Sequence, residues 1–301
     1  MEIVEKIKKL KEEKNAVILA HYYVEPEIQE IADYIGDSFY LSKIAVGLKE
    51  QTIVFCGVSF MGESAKILNP NKTVLMPDLS ADCAMAHMAE AETIQKMRDT
   101  YEDLAVVCYI NSTAELKQHS DVCVTSANAV KIVKALPNKN IFFIPDKNLA
   151  RFVAEQVPEK NFVFNKGFCP IHDKLCLEEV LKAKEEHPEA EILTHPECAQ
   201  AVCEISDYIG STSGIINYAG KSDKKEFIIC TENGVRYELE KENPEKKFYF
   251  TKTEPICLDM KRITLEKIAH VLETGENEVH VTEELREKSG KALSRMLELA
   301  K

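Results

Sequence analysis

The sequence lacks any long apolar run, and no stretch approaches the 18 consecutive apolar residues expected of a membrane-spanning helix. Its first residues, MEIVEKIKKLKEEK, have the pattern of a charged amphipathic helix, without the apolar region or cleavage site of an export signal. Positive charge is also scarce, since 38 Lys and Arg face 50 Asp and Glu and the net charge is −12. We therefore expect neither a membrane nor nucleic acid as a partner, while a local basic site for a small anion remains open.

The chain also lacks the two closely spaced pairs of cysteines that form most structural zinc sites, although it contains ten cysteines. Because no export signal is found, these thiols are expected to be reduced, which predicts a cytoplasmic protein. A free cysteine is most often a small buried hydrophobic residue. That interpretation is assigned to the cysteines within apolar runs and near helix or loop boundaries: Cys56, Cys108, Cys123, Cys230, Cys176, Cys198 and Cys203.

The remaining three cysteines are spaced almost evenly along the chain. Cys83 lies 86 residues before Cys169, and Cys257 lies 88 residues after it. Each follows a short apolar run with the character of a strand and lies in a loop rich in turn-forming residues. This spacing indicates that one structural unit occurs three times and that each copy ends in a cysteine. Three thiolates from three units could therefore meet at one point.

A constant offset relates the polar residues of the three units. From the first unit to the second the offset is 88 at four positions, and from the second to the third it is 86 at the same four. The equivalent sets are His21, Tyr109 and His195; Tyr23, Asn111 and Glu197; Asp33, Asp121 and Asp207; and Ser38, Ser126 and Thr212. An offset that holds over such a span identifies a genuine repeat.

Strand patterns alternate with helix patterns throughout each unit, which is typical of parallel α/β units with helices on both faces of the sheet. We predict an α/β fold of three αβα three-layer domains, related by a pseudo-threefold axis at which the site lies. The last two helix patterns, 263–273 and 282–300, are expected to pack on the first unit. The predicted domains are 1–84 with 265–301, 85–170, and 171–264.

The first strand of each unit ends in two polar residues at positions i and i+2. Side chains with this spacing project to the same side of a strand, so the pairs from three units would converge on the axis that the cysteines also approach. The pairs are His21 and Tyr23, Tyr109 and Asn111, and His195 and Glu197.

Ser38, Ser126 and Thr212 each directly precede a helix pattern and are predicted to be N-caps. A helix N-terminus offers free N–H groups and the positive end of the helix dipole. If three helix starts face one cavity, they would suit a small substrate with several negative charges.

The three evenly spaced cysteines suit a [4Fe–4S] cluster better than a structural zinc ion, which usually takes four ligands from closely spaced pairs. Three cysteines leave one iron of such a cluster without a protein ligand and open to substrate as a Lewis acid. Electron-transfer clusters normally use four cysteines, so three favour substrate chemistry. A hydro-lyase of the aconitase kind and a non-catalytic iron–sulfur sensor or electron carrier remain alternatives.

Ten segments, in order along almost the whole chain, resemble the quinolinate synthase family: AHYY, IADYIGDS, VSFMGESAKILNP, PDLSADCAMA, YINST, TSANA, GFCPIH, THPEC, GSTSGI and RMLEL. The resemblance implies three pseudo-symmetric αβα domains and a [4Fe–4S] cluster held by three cysteines. It implies the condensation of iminoaspartate with dihydroxyacetone phosphate to quinolinate in de novo NAD biosynthesis. It also implies a functional link to the enzyme that supplies iminoaspartate, L-aspartate oxidase or aspartate dehydrogenase.

By the same resemblance, Cys83, Cys169 and Cys257 would be the cluster ligands. Nine residues would line the substrate site: His21, Tyr23, Ser38, Tyr109, Asn111, Ser126, His195, Glu197 and Thr212. The candidates for proton transfer among them are Tyr23, Glu197, His195, Tyr109 and His21. Two residues depart from the family pattern, since Asp82 stands where a glycine is common and His87 where an acidic residue is common. They affect the first cysteine loop and leave its ligand in place.

Overall fold

The computed structural model describes residues 2–301, which contain three four-stranded parallel sheets. The strands are β1 (Ala16–His21), β2 (Tyr34–Gly36), β3 (Thr52–Cys56), β4 (Thr73–Leu75), β5 (Leu104–Tyr109), β6 (Val122–Val124), β7 (Asn140–Ile144), β8 (Asn161–Phe164), β9 (Glu191–Thr194), β10 (Tyr208–Ile209), β11 (Glu226–Cys230) and β12 (Lys247–Tyr249).

The helices of the described residues flank these sheets. They are α1 (Glu2–Glu13), α2 (Pro26–Ile31), α3 (Ser38–Gly47), α4 (Ser59–Leu68), α5 (Ala91–Thr100), α6 (Ala114–Lys117), α7 (Ala129–Ala135), α8 (Lys147–Gln156), α9 (Leu177–Glu186), α10 (Gln200–Glu204), α11 (Thr212–Lys221), α12 (Arg236–Glu242), α13 (Leu265–Thr274) and α14 (Glu283–Leu299). Short 3₁₀ turns cover Ala84–His87, Asn233–Val235 and Met260–Arg262. No helix within residues 2–301 has both the length and the apolar character to cross a bilayer.

The three sheets share one strand order: β2-β1-β3-β4, β6-β5-β7-β8 and β10-β9-β11-β12. All neighbouring strands are parallel, so the carboxyl ends of each sheet lie along one edge. The central strands β1 and β5 are buried along their whole length, because helices cover both faces of a parallel sheet. The predicted α/β fold of three αβα layers is confirmed.

An aspartate ties the second strand to the first in each unit. The carboxylates of Asp33, Asp121 and Asp207 accept the backbone N–H of Ile18, Val106 and Ile192, respectively, at 2.7–2.8 Å. The N–H of each aspartate donates to the carbonyl of the same partner at 2.9 Å. These reciprocal bonds satisfy backbone groups at the point where the chain enters the second strand. They are one structural reason for the constant offset at these aspartates.

The C-terminal helices contact more than one unit. Helix α13 packs on α1, whereas α14 packs on α4 of the first unit and on α6, α7 and β6 of the second. Between these helices, the N–H of Val279 donates to Val74 O at 2.8 Å and thereby continues the edge of the first sheet. The division into 1–84 with 265–301, 85–170 and 171–264 stays a prediction, because α14 contacts two units.

We expect Asp207→Ala to lower the free energy of unfolding by about 1–3 kcal/mol, because it leaves the N–H of the buried Ile192 without its acceptor. Chemical denaturation of the variant and the parent measures the difference. The control Asp223→Ala changes an exposed aspartate of the same unit and should unfold like the parent. Equal stability of both variants would contradict the structural role of the tie.

Candidate active site

One cavity lies where the carboxyl ends of the three sheets meet. Its lining includes every residue predicted from the sequence: His21, Tyr23, Ser38, Cys83, Tyr109, Asn111, Ser126, Cys169, His195, Glu197, Thr212 and Cys257. It also includes residues that the sequence did not indicate as site residues, among them Asp37, Asp82, Thr125, His172 and Glu232. The fold therefore brings the candidate ligands and the candidate substrate residues into a single site.

Each cysteine loop is fastened to the end of its unit's third strand by the same backbone hydrogen bond. The acceptor is the carbonyl oxygen of the residue two positions before the cysteine. The donor is the backbone N–H of the third residue after the third strand. The pairs are Ser59 N–H to Ala81 O at 2.8 Å, Lys147 N–H to Gly167 O at 2.8 Å, and Asn233 N–H to Pro255 O at 2.9 Å. The three cysteines thus occupy equivalent places in space as well as in sequence.

The environment of the three sulfur atoms is also equivalent. Burial raises the pKa of Cys83 to about 12, that of Cys257 to about 11, and that of Cys169 well above its usual value. In each case the backbone N–H groups two and three residues further along oppose this rise: Met85 and Ala86, Ile171 and His172, and Asp259 and Met260. Such thiols become thiolates when a cation replaces the proton. In addition, Cys169, His172 and Glu197 offer ligand atoms within 4.8 Å of one another and could hold a metal.

The two strand-end histidines are held in the same tautomer. Nδ1 of His21 accepts the backbone N–H of Tyr23 at 3.2 Å, and Nδ1 of His195 accepts that of Glu197 at 3.3 Å. Burial lowers the pKa of His21 to about 4 and that of His195 to about 3. Both rings are therefore neutral near pH 7 and carry their proton on Nε2. In the second unit Tyr109 occupies the equivalent place.

A continuous chain of hydrogen bonds crosses the cavity wall. Its links are Thr212 Oγ1 to Tyr23 OH at 2.8 Å, Tyr23 OH to Thr231 Oγ1 at 2.9 Å, Thr231 Oγ1 to His172 Nε2 at 2.9 Å, His172 Nδ1 to Glu197 Oε2 at 2.7 Å, and Tyr109 OH to Glu197 Oε1 at 2.6 Å. Tyr23 and Glu197, the two proton-transfer candidates at equivalent strand ends, are thus connected through Thr231 and His172.

The charges of this chain are set by burial and by its own hydrogen bonds. Burial would raise the pKa of Glu197, but His195, His172 and Tyr109 together hold it below the usual range. Burial raises the pKa of Tyr23 and Tyr109 well above their usual value, and the negative Glu197 raises both further. Glu197 is therefore an ionised acceptor, and the two tyrosines are protonated donors.

Thr231 and His172 were missed as site residues. His172 belongs to the segment GFCPIH and lies three residues after Cys169, so its closeness to a candidate ligand could have identified it as a site residue. Thr231 follows β11 directly, but the equivalent positions in the other units are Gly57 and Pro145, so comparison of the repeats could not single it out.

The prediction that Ser38, Ser126 and Thr212 are N-caps is wrong. Asp37 caps α3 by accepting the N–H of Tyr40 at 3.0 Å, and Ser211 caps α11 by accepting the N–H of Gly214 at 3.1 Å. Ser38 and Thr212 are the first helical residues, and Ser126 lies two positions before Asn128, the residue that precedes α7. The cap is the residue with extended backbone just before the helix, which an approximate pattern cannot place to one residue.

Three buried polar atoms of the cavity have no hydrogen-bond partner within the described chain: Asp37 Oδ2, Asn111 Oδ1 and Thr125 Oγ1. A buried polar group normally has a partner, so these atoms favour a polar ligand in the cavity. Asn111 is one of the predicted substrate residues, whereas Asp37 and Thr125 directly precede two others, Ser38 and Ser126.

Comparisons with known proteins find relatives along nearly the whole chain. Residues 5–298 match the family described as NadA: Quinolinate synthetase A protein. A quinolinate synthase from Clostridioides difficile (strain 630) is 53% identical over 98% of this chain and 97% of its own length. Those from Fusobacterium nucleatum and Caldicellulosiruptor saccharolyticus are 55% and 52% identical, over 98% and 99% of this chain and 99% of their own lengths.

Among solved structures, a zinc-bound deletion mutant of ZnuA aligns over 88% of this chain and 100% of its own, with 12% identity and a TM-score of 0.20. That likeness is too low to bear on the fold. The family match and the near-complete coverage by relatives at about half identity decide the assignment. This chain belongs to the quinolinate synthetase A protein family.

Proposed function

We propose that this chain is a quinolinate synthase, which condenses iminoaspartate with dihydroxyacetone phosphate and releases phosphate and water in de novo NAD biosynthesis. The single observation that carries the proposal is one cavity with three equivalent cysteines and six strand-end polar residues, in a chain of this family. The substrates bring two carboxylates and a phosphate, which suit helix starts and neutral Nε2–H donors. Neither an aconitase-like hydro-lyase nor an electron carrier shares the activity named for the relatives.

We assign Cys83, Cys169 and Cys257 as the ligands of a [4Fe–4S] cluster with one open iron. The donor set fits this group, because the three thiols are equivalently placed around one cavity and each sulfur faces two backbone N–H groups. When bound, the cluster would supply a Lewis-acidic iron that polarises a substrate oxygen. The alternative is a single metal ion bound by Cys169, His172 and Glu197.

The residues of the cavity divide into donors, an acceptor and groups that orient substrate. Closing a pyridine ring requires proton transfers at neighbouring carbon atoms, which need an acid and a base near each other. Tyr23 and Tyr109 donate, and Glu197 accepts. Through Thr231 and His172, Tyr23 and Glu197 are joined by one hydrogen-bonded chain that does not pass through bulk water.

Other residues bind and orient the substrates. His21 offers Nε2–H to carboxylate or carbonyl oxygens, since its Nδ1 is occupied. His195 Nε2 lies 3.2 Å from Ser126 Oγ, so these two candidate residues would bind substrate together. Asn111 cannot titrate. Its buried Oδ1 has no hydrogen-bond donor within the described chain and would accept one from the ligand. Ser38, Ser126 and Thr212 lie at or near helix starts and would bind the anionic ends of the substrates.

We expect anaerobically prepared protein to carry about four iron atoms per chain and to form quinolinate from the two substrates. Ala in place of Cys83, Cys169 or Cys257 should abolish both properties. The controls Cys56→Ala and Cys230→Ala change fully buried cysteines outside the cavity lining and should keep the iron. Iron analysis and the quinolinate assay give the two readings. A stable cluster after loss of any of the three cysteines would reject the ligand assignment.

Tyr23→Phe should retain the cluster and bind substrates but lose about 10²–10⁴ in turnover, the usual effect of removing a general acid or base. The substitution removes only the hydroxyl group, and the hydrogen bonds to Thr212 and Thr231 are lost with it. Thr231→Val, which breaks the path to His172, should lower turnover in the same direction. The matched control is Tyr249→Phe, outside the cavity. If Tyr23→Phe turns over as fast as the parent, Tyr23 binds substrate but transfers no proton.

Ser38→Ala separates substrate binding from helix capping. Because Asp37 is the cap of α3, the free energy of unfolding should change by less than about 0.5 kcal/mol. The KM for the substrates should nevertheless rise. Thermal unfolding and steady-state kinetics test the two parts, with Ser80→Ala, an exposed serine, as control. An unchanged KM would remove Ser38 from the substrate site.

A further inference from the structure

Two buried carboxylates that the sequence did not indicate as site residues occupy equivalent places in the second and third units. Asp146 follows β7 and Glu232 follows β11, at the same offset of 86 residues that relates the rest of these units. Both side chains are fully buried. Neither has a role in the hydrogen-bonded chain between Tyr23 and Glu197.

Each carboxylate divides its two oxygens between a helix start and a cysteine. Asp146 accepts the N–H of Leu149 on Oδ1 at 2.6 Å and the N–H of Cys169 on Oδ2 at 3.1 Å. Glu232 accepts the N–H of Gly234 on Oε2 at 2.7 Å and the N–H of Cys257 on Oε1 at 3.0 Å. A group that only caps a helix needs one oxygen for the cap. The second oxygen is directed at the candidate ligand.

The first unit makes the same connection with different residues. Val58 stands where Asp146 and Glu232 stand in the other units and offers no acceptor. Instead, Ser59 at the start of α4 donates its hydroxyl to Asp82 Oδ1, and Asp82 directly precedes Cys83. His87 Nε2 lies 2.7 Å from Asp82 Oδ2 and holds the carboxylate from the other side. Asp82 and His87, the two departures from the family pattern, therefore form one structural pair.

We propose that Asp82, Asp146 and Glu232 are positioning residues for Cys83, Cys169 and Cys257. Each ties its cysteine loop to the helix that follows the third strand and so fixes the direction from which the sulfur approaches the cavity. The inference rests on the proposed function, since it takes these cysteines as ligands of the cluster.

Asp146→Asn and Glu232→Gln test the proposal with the least change in shape. An amide has one acceptor oxygen, and its NH₂ group would face an N–H donor, so each variant must lose one of its two bonds. We expect each reconstituted variant to release iron to a chelator about tenfold faster than the parent. Iron release is measured on the complete chain with assembled cluster.

A second measurement uses the protein without iron. Iodoacetamide should alkylate Cys169 about tenfold faster in Asp146→Asn, and Cys257 about tenfold faster in Glu232→Gln, because the loop is released. Peptide mass analysis assigns each rate to its cysteine. Thr264→Ala, which removes the N-cap of α13 away from the cavity, is the control for a lost cap. Asp82 is more exposed, so Asp82→Asn provides the corresponding test at Cys83 if a buried substitution prevents folding.

If iron release and alkylation in these variants are as slow as in the parent, the carboxylates are helix caps only and the proposal is overturned. A parent chain that assembles no cluster would instead overturn the proposed function. Even then the alkylation rates decide the positioning role, because they need no iron. Faster release that also occurs in Thr264→Ala would show a general loss of stability and likewise overturn the proposal.

Discussion

The site depends on the parallel pairing of strands in each sheet. Parallel strands bring their carboxyl ends to one edge, so the loops that leave the first and third strands start side by side. In each unit one loop carries the polar strand-end pair, and a cysteine loop is fastened beside the other. Three such edges face one cavity. An antiparallel sheet would send alternate loops to opposite ends and separate the candidate ligands from the candidate substrate residues.

The hydrogen bonds that support the site repeat more closely among the three units than the side chains that line the cavity. A side chain of the second helix of each unit bonds to the carbonyl that follows Tyr23, Asn111 or Glu197. The pairs are Gln29 Nε2 to Val24 O, Lys117 Nζ to Ser112 O, and Cys203 Sγ to Cys198 O. The side chains of Gln29, Lys117 and Cys203 thus donate the same hydrogen bond from equivalent positions in the three units. The supporting contacts are constrained by geometry, whereas the side chains directed into the cavity differ in acid–base character.

Burial sets the protonation states of the residues that line the cavity. Desolvation disfavours charge, so His21 and His195 remain neutral and Tyr23 and Tyr109 remain protonated. Glu197 stays ionised in the same surroundings because His172 and Tyr109 donate to its two oxygens. One negative acceptor among neutral donors is an arrangement that can both bind anionic substrates and remove a proton from them. Burial raises the pKa of all three thiols in the same way.

The sequence alone determined the repeat, the strand ends and the three special cysteines. These features are recurring positions along the chain, and the apolar pattern of a buried strand places them to within a residue or two. Only the tertiary structure decided which side chains act together. Tyr23 of the first unit meets Thr231 of the third, and His172 meets Glu197, and no offset of the repeat relates the members of either pair. It also decided that Asp37 and Ser211, not Ser38 and Thr212, cap their helices. A hydrogen bond depends on distances and angles set by packing, and a pattern of residue types does not contain them.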